Sequence, residues 1–421
     1  MAEVLKKGEP HGDRASSVVR ATVAEMLERI ESGGLDAVRD YSKRLDDWDP
    51  ESFLVGPAEL DGLCARVPAD LAAHIEKSAD RIRAFAEAQR ACLTDLSVEP
   101  EPGLELGHRV IPVDSVGVYV PGGRYQLIAS ALMGAIPARV AGVDQVVLTT
   151  PVGPDGTINP ATAYAARLAG VDALVALGGV QALGALAFGL LPGIDPVTIL
   201  VGAGNAFVAE AKRQLFGIVG IDLLAGPTEI LVIADDSACP RLVAIDLLSQ
   251  AEHGPTSPSH LVTTSRAFGN AVLHEIDHLL QSWPTAEVTK QAWDRFGTVI
   301  VADDPTEAIA ISDDFAPEHL ELQVSDPAFY HDRLRNYGSL FIGEETTVTF
   351  GDKATGPNHT LPTQGAARYT GGLWVGSFLK VLTYQQLTPA ASHNVAPTAA
   401  AIAEAEGLPG HALSAAARLD L

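Results

Sequence analysis

VGVYV (116–120), SALMGAIPARVAG (130–142), QVVLTT (145–150), ATAYAARLAG (161–170), ALVAL (173–177), VQALGALAFG (180–189), VTILVG (197–202) and NAFVAEAKRQLFG (205–217) follow one another with little between them. The odd members are short β-rich runs and the even members are small-residue helical stretches. Strands alternating with helices of this length predict βαβ units and a parallel sheet. A second series of the same grammar begins at ILVIAD (230–235). It runs through a helix at 240–252, strand HLVTT, a helix at 267–282, strand TVIVAD, a short helix, strand HLELQV, a helix at 327–337 and strand SLFIG. Upstream, residues 1–118 read as mainly helical, with amphipathic spacing around Ile82, Phe85 and Ala88. Downstream, a Gly-rich polar tract (351–377) leads into an Ala-rich helical tail. The fold class is therefore α/β, with two open parallel-sheet domains in succession and small helical terminal segments.

Composition agrees. At 421 residues the chain exceeds one compact core. Apolar residues make up 47% and aromatics 6%, a mix that lets helices lie close to strands. The formal net charge of −24 argues against a nucleic-acid partner, because such a surface repels phosphate backbones. Cys64, Cys92 and Cys239 lie far apart and outside every motif, so neither a disulfide framework nor a thiolate metal site is expected. The N-terminus lacks the apolar stretch of a signal peptide, and no apolar run reaches membrane-spanning length. A cytoplasmic protein with no membrane partner is the expectation.

Several segments carry candidate chemistry. HEIDH (274–278) matches a zinc-peptidase pattern literally, but Asp277 puts a charge where such a helix packs into its core. A solvated helix face opposite Leu273, Ile276 and Leu280 is the simpler reading, and the peptidase is rejected. Three glycine-rich turns, VPGG (120–123), LGG (177–179) and VGAGN (201–205), each follow a strand and open a helix. That is where a helix N-terminus can hold a pyrophosphate, although tight βα turns alone need glycine too. Four clusters pair histidine with an acid or amide: Gln250 and His253 in SQAEHGP, Glu318 and His319 in APEHLEL, Asp352 and His359 in GDKATGPNHTLPT, Glu406 and His411 in EGLPGHA. Imidazole and carboxylate oxygen suit zinc, and a catalytic zinc keeps one position open for substrate.

In these motifs the chain resembles the histidinol dehydrogenases. VGVYVPGG, GGVQAL, AKRQLFGIVGID, AGPTEILVIAD, DLLSQAEHG, APEHLEL, GDKATGPNHTLPT and EGLPGHA occur in family order from about Tyr119 to His411. The resemblance implies two incomplete Rossmann-like domains: 119–230 for NAD, and a discontinuous 19–118 plus 231–372 carrying most zinc-site residues. It also implies an N-terminal helical segment at 1–18 and a C-terminal helical segment at 373–421, exchanged in a homodimer with shared active sites. Zinc, one per subunit, would be held by Gln250, His253, Asp352 and His411. The acid–base pair would be Glu318 and His319. NAD would meet Tyr119, Gln181 and Asn205, and substrate would meet Thr228, Glu406 and His359. The implied reaction takes a primary alcohol to a carboxylate through a bound aldehyde. His319 takes the alcohol proton, Glu318 activates the added water, and two hydrides leave to two NAD.

Three segments depart from ordinary histidinol dehydrogenases. Arg124, Tyr125 and Gln126 follow VPGG, GAGN carries Ala203, and AARYTGGLWVGSFLKVLTYQ occupies 366–385. These are similar to the sulfopropanediol 3-dehydrogenase branch, which implies 2,3-dihydroxypropane-1-sulfonate, oxidised to 3-sulfolactate, as substrate, with L-histidinol as the alternative. Arg124 would hold the anion with its planar fork, and Trp374 would narrow the pocket; against this, Arg124 in solvent and Trp374 in the core would be the bland reading. A catalytically silent binding protein on the same fold is the remaining alternative.

Overall fold

Runs of Val, Ile and Leu with no charge among them become strands covered on both faces, as parallel sheets require. The computed structural model describes residues 2–9, 16–122, 125–224 and 226–420. Five parallel strands form the first sheet, in spatial order Ala173–Ala176, Gln145–Thr150, Ser115–Tyr119, Ile199–Val201 and Gly220–Ile221. Numbered along the chain this is 3-2-1-4-5. Val116, Val118, Val146 and Leu148 point into one core, and Val147, Val175 and Leu200 into the other.

The second sheet repeats the order. Thr298–Val301, Ser259–Thr263, Ile230–Ala234, His319–Gln323 and Ser339–Ile342 are parallel and again read 3-2-1-4-5. Ile230, Val232 and Leu261 face one core; Leu231, Ile233 and Leu320 face the opposite one. Strand Gly220–Ile221 of the first sheet leads through residues 222–229 straight into strand Ile230–Ala234 of the second. The carboxyl edge of one sheet is thus tied to the amino edge of the other. Helix Ile128–Ala141 makes the same link, since Asn358 donates to the Met133 carbonyl (2.6 Å).

The terminal regions differ from expectation. Glu3–Lys6 is a strand, not part of a helix; it pairs antiparallel with Thr298–Val301, and Lys6 Nζ donates to the Gly297 carbonyl (2.8 Å). Four residues are too few for periodicity to reveal, and the helix begins only at Ser17, capped by Ser16. Leu96–Glu101 and Leu104–Pro112 are also strands, within a stretch read as helical. They form an antiparallel sheet with Leu379–Leu387, so the segment 373–421 contains a strand before its helices. All six residues of Leu96–Glu101 are exposed, so the short alternation of Leu96 and Val98 with Ser97 and Glu99 covers no core.

The helices of the N-terminal third bury their apolar faces on the first sheet, although Ser78 and Arg81 of Ala69–Ala91 also donate to the Lys353 and Ala354 carbonyls. Ser17–Asp46 buries Val23, Leu27 and Ile30 against one face of the first sheet, and Ala69–Ala91 buries Ile75, Ala79 and Ile82 against the other. Helix Ala286–Phe296, unforeseen as a separate element, places Trp293 in the second sheet's core. Among the described residues no helix is long and apolar enough to cross a membrane.

Candidate functional site

The candidate site sits at the amino ends of the second sheet's neighbouring strands, where His319 and Ile230 are in register. Helix Pro305–Phe315 ends with Ala316 in the left-handed region (φ 49°), followed by Pro317. A non-glycine residue held there signals local strain, a feature that clusters at functional sites. The turn delivers Glu318 and His319, both buried, to the start of strand His319–Gln323. Gly338 lets the adjoining backbone approach, because a Cβ there would lie 2.5 Å from the Glu318 carbonyl oxygen.

Both side chains are oriented. Glu318 Oε2 accepts from the Thr228 hydroxyl (2.5 Å) and from the Glu229 N–H (2.9 Å). His319 Nδ1 lies 2.9 Å from the Glu229 carbonyl and donates to it, which leaves Nε2 as the basic nitrogen of the neutral ring. That Nε2 is buried without a hydrogen-bond partner, 3.6 Å from Asp352 Oδ1. Burial works to lower the His319 pKa, but the Glu318 and Asp352 carboxylates overcome it and hold the ring well above its ordinary value. Asp352 is itself held below the usual carboxylate range; burial opposes this, and the neighbouring His319 ring prevails.

Gln250 and Asp352 are buried around this pair, with His253 beside them. Gln250 closes helix Pro240–Ala251 and donates Nε2 to the Thr228 hydroxyl (2.5 Å), keeping its carbonyl oxygen for another partner. His253 follows in the next turn, edge-on to Tyr125 at 6.4 Å, with its pKa lowered by burial against the pull of Asp352. Asp352 lies in a π-helical turn, Gly351–Thr355, a geometry frequent at functional sites. His359 Nδ1 donates to the Asp352 carbonyl (3.1 Å) and Nε2 accepts from Ser130 (2.8 Å); burial lowers its pKa and keeps it neutral. Thr228, Gln250, His253, Glu318, His319, Asp352 and His359 therefore converge.

Glu406 and His411 do not join them within the chain. Both are exposed, Glu406 just after helix Pro389–Ala405 and His411 in the first turn of helix Pro409–Ala416. Among the described residues no group of three or more His, Cys, Asp and Glu side chains is arranged to hold a metal. Arg124 lies outside the described residues. Trp374 is 40% exposed and borders a small cavity with Phe85, Gln89 and Asn358. His274 and His278 of the rejected peptidase pattern face solvent, as expected.

Sequence reasoning missed Glu229 and Ser130. Glu229 is a buried carboxyl whose pKa is pushed up to about 8 by burial and by the neighbouring Glu318 charge. Its backbone touches both Glu318 and His319, a contact that side-chain chemistry cannot advertise.

The first sheet supplies a different site. Its strands 1 and 4 diverge at Tyr119 and Gly202, the topological switch point where nucleotides bind in open α/β sheets. Gly202 has φ 117°, and a Cβ there would lie 2.1 Å from the Tyr119 carbonyl oxygen. Asp222 accepts from the Gly202 N–H (2.7 Å) while Lys212 donates to the Gly202 carbonyl (2.8 Å), and the two charges pair in full burial. The Tyr119 hydroxyl accepts from the Gly179 N–H (3.3 Å). Asn205 caps helix Ala206–Leu215, accepting from Phe207 and Val208 N–H.

Comparison with known proteins fits this geometry. The family model described as histidinol dehydrogenase matches residues 10–419. A histidinol dehydrogenase homolog of Shouchella clausii is 49% identical, covering 100% of this chain and 99% of that protein. A sulfopropanediol 3-dehydrogenase of Ruegeria pomeroyi is 46% identical, covering 99% of this chain and 96% of the relative. The crystal structure of histidinol dehydrogenase from Elizabethkingia anophelis superposes with a TM-score of 0.92 at 34% identity, covering 97% and 94% of the two chains. The fold, the converging residues and these matches agree: the chain belongs to the histidinol dehydrogenase family.

Proposed function

We propose that this oxidoreductase converts a small anionic primary alcohol to a carboxylate through a bound aldehyde, using zinc and NAD. The observation that carries the reading is the buried Glu318–His319 pair with His319 Nε2 unpartnered and aimed at Asp352. The donor set suits zinc: the amide oxygen of Gln250, the carboxylate of Asp352 and the imidazole of His253, with His411 of the partner subunit as the fourth. An exchanged C-terminal segment in a homodimer would bring that fourth ligand, together with Glu406 as a substrate contact. The first sheet's switch point suits a dinucleotide, with Tyr119, Gln181 and Asn205 around its glycine turns. Bound there, zinc supplies Lewis acidity and NAD supplies the hydride acceptor.

The chain's own residues move the protons. His319 Nε2 takes the proton of the alcohol hydroxyl, and the Glu318 and Asp352 carboxylates favour the ring keeping it. Thr228 and the Glu229 N–H fix Glu318, which takes a proton from the water that adds to the aldehyde. His359, oriented by Ser130, and Arg124 at the end of VPGG meet the substrate's other groups. The similarity to the sulfopropanediol enzyme favours 2,3-dihydroxypropane-1-sulfonate, giving 3-sulfolactate. L-Histidinol is the second reading, favoured by the family model and the superposed structure.

NADH formed per alcohol consumed, with the zinc-loaded protein and each alcohol in turn, tests the proposal. We expect two NADH per sulfonate diol and little from histidinol. Two from histidinol would overturn the substrate, and none from either would overturn both readings.

A further inference from the structure

A carboxylate that no dinucleotide motif foreshadows stands at the mouth of the first sheet. Asp46 is the last residue of helix Ser17–Asp46, and Asp47 follows in the left-handed region, so the helix stops there. The Asp46 side chain reaches solvent, yet one of its oxygens is fixed: Gln181 Nε2 donates to Oδ2 at 2.7 Å. Gln181 is 1% exposed, and its own carbonyl oxygen is buried with no hydrogen-bond partner. That amide folds over the glycine turn opening helix Gly179–Ala187, since a Cβ on Gly179 would lie 2.9 Å from Gln181 Oε1. Leaving a buried acceptor unmade is costly, so the amide is held for a purpose other than packing. Among the described residues Asp46 has no cationic partner; the neighbouring Lys43 and Arg39 both pair with Asp49.

Position within the sheet identifies which end of a dinucleotide would meet this carboxylate. The reacting centre lies where strand Gly220–Ile221 passes into Thr228 and Glu229, at one edge of the five-stranded order. Asp46 lies at the other edge, where Trp48 Nε1 donates to the carbonyl of Ala176, the last residue of the edge strand (2.8 Å). A dinucleotide laid along the carboxyl edge with its nicotinamide toward Thr228 places its adenosine end near Asp46. A carboxylate accepts hydrogen bonds from a ribose diol and repels a phosphate in the same place.

We propose that Asp46 is the specificity-determining residue for the cofactor: its carboxylate, aimed by Gln181, binds the adenosine ribose diol of NAD and excludes the 2′-phosphate of NADP. This rests on the NAD reading above and adds to it a residue and a discrimination.

Calorimetric titration of NADH and NADPH into the zinc-loaded dimer, for the native protein and for Asp46→Asn, Asp46→Ser and Asp46→Glu, tests it without turnover. The native protein and Asp46→Glu should bind NADH and reject NADPH. Asp46→Asn and Asp46→Ser should lose about tenfold or more for NADH and gain for NADPH, narrowing the ratio. Thermal unfolding of each variant shows whether the fold survives. If the two affinities move together, or neither moves, Asp46 is only a partner for Gln181 and the proposal fails while NAD use stands. If the native protein binds neither nucleotide, the NAD reading fails with it.

Discussion

The two parallel sheets share one strand order, 3-2-1-4-5, and offer opposite edges to chemistry. The first has glycines at 178, 179 and 202 along its carboxyl edge, where a Cβ on Gly202 would lie 2.1 Å from the Tyr119 carbonyl oxygen. The second closes the equivalent point. Asp235 ends strand 1 there, and its carboxylate accepts from the N–H and hydroxyl of both Ser237 and Ser325. A carboxylate so satisfied leaves no donors for a phosphate and repels one. The second sheet instead gathers Thr228, Glu229, Glu318 and His319 at its amino edge. Side chains decide which end of each sheet differs in polarity, and strand Gly220–Ile221 comes directly before strand Ile230–Ala234 in the strand sequence, which ties the carboxyl edge of one sheet to the amino edge of the other.

The largest expected effect lies at that amino edge. Glu318→Gln keeps an acceptor for Thr228 and the Glu229 N–H but cannot take a proton from water. The second oxidation should fall by about 10²–10⁴, so NADH per alcohol drops from two toward one while bound zinc is unchanged. His319→Gln should instead suppress the first oxidation. Equal stoichiometry in Glu318→Gln and the native protein would remove Glu318 from the water-addition step and leave the amino edge with one working residue rather than two.

How much of this was legible in advance follows from what each feature rests on. The parallel sheets were readable because a strand buried on both faces needs an unbroken apolar run such as ILVIA or QVVLTT. Strands Leu96–Glu101 and Leu104–Pro112 were not, because Leu96–Glu101 is exposed throughout and Leu104–Pro112 takes its second partner far along the chain, in Leu379–Leu387. Placement of helix Ser17–Asp46 on the first sheet was equally hidden: amphipathicity shows that a face is buried and is silent about what covers it. The converging residues Gln250, His253, Glu318, His319 and Asp352 were legible by motif. Glu229 was not, because it acts through its backbone, and Asp46 was not, because helix termini are rich in acids of no consequence.

The next effect in size tests the first sheet's carboxyl edge. Lys212 and Asp222 are fully buried and together grip both backbone polar groups of Gly202. Lys212→Met strands the Asp222 charge and should cost about 3–5 kcal/mol, measured by denaturant unfolding. Cutting the exposed Arg167–Asp61 pair on the same domain should cost at most about 1 kcal/mol. A double change, Lys212→Met with Asp222→Leu, should recover much of the stability while NADH binding stays weak, because an apolar pair packs but cannot hold the Gly202 turn. Recovery of both would reduce the pair to a structural element and erase the contrast with Asp235.

The smallest effect separates two roles of one residue. Asn205 caps helix Ala206–Leu215 with its side-chain oxygen and also stands at the proposed dinucleotide crevice. Asn205→Ala should lose about 1 kcal/mol of stability by leaving Phe207 and Val208 N–H without their acceptor. Asn205→Asp keeps that acceptor, since aspartate caps as well as asparagine, and its charge suits a helix N-terminus. Its stability should therefore match the native protein. Its affinity for NADH should nevertheless fall, because a second anion now faces the pyrophosphate at the first helical turn. If Asn205→Asp binds NADH normally, Asn205 is a cap alone, and the dinucleotide must lie nearer the Tyr119 and Gly179 side of the same edge. The two variants thus fix where along the carboxyl edge the cofactor sits, which the shared strand order of the two sheets leaves open.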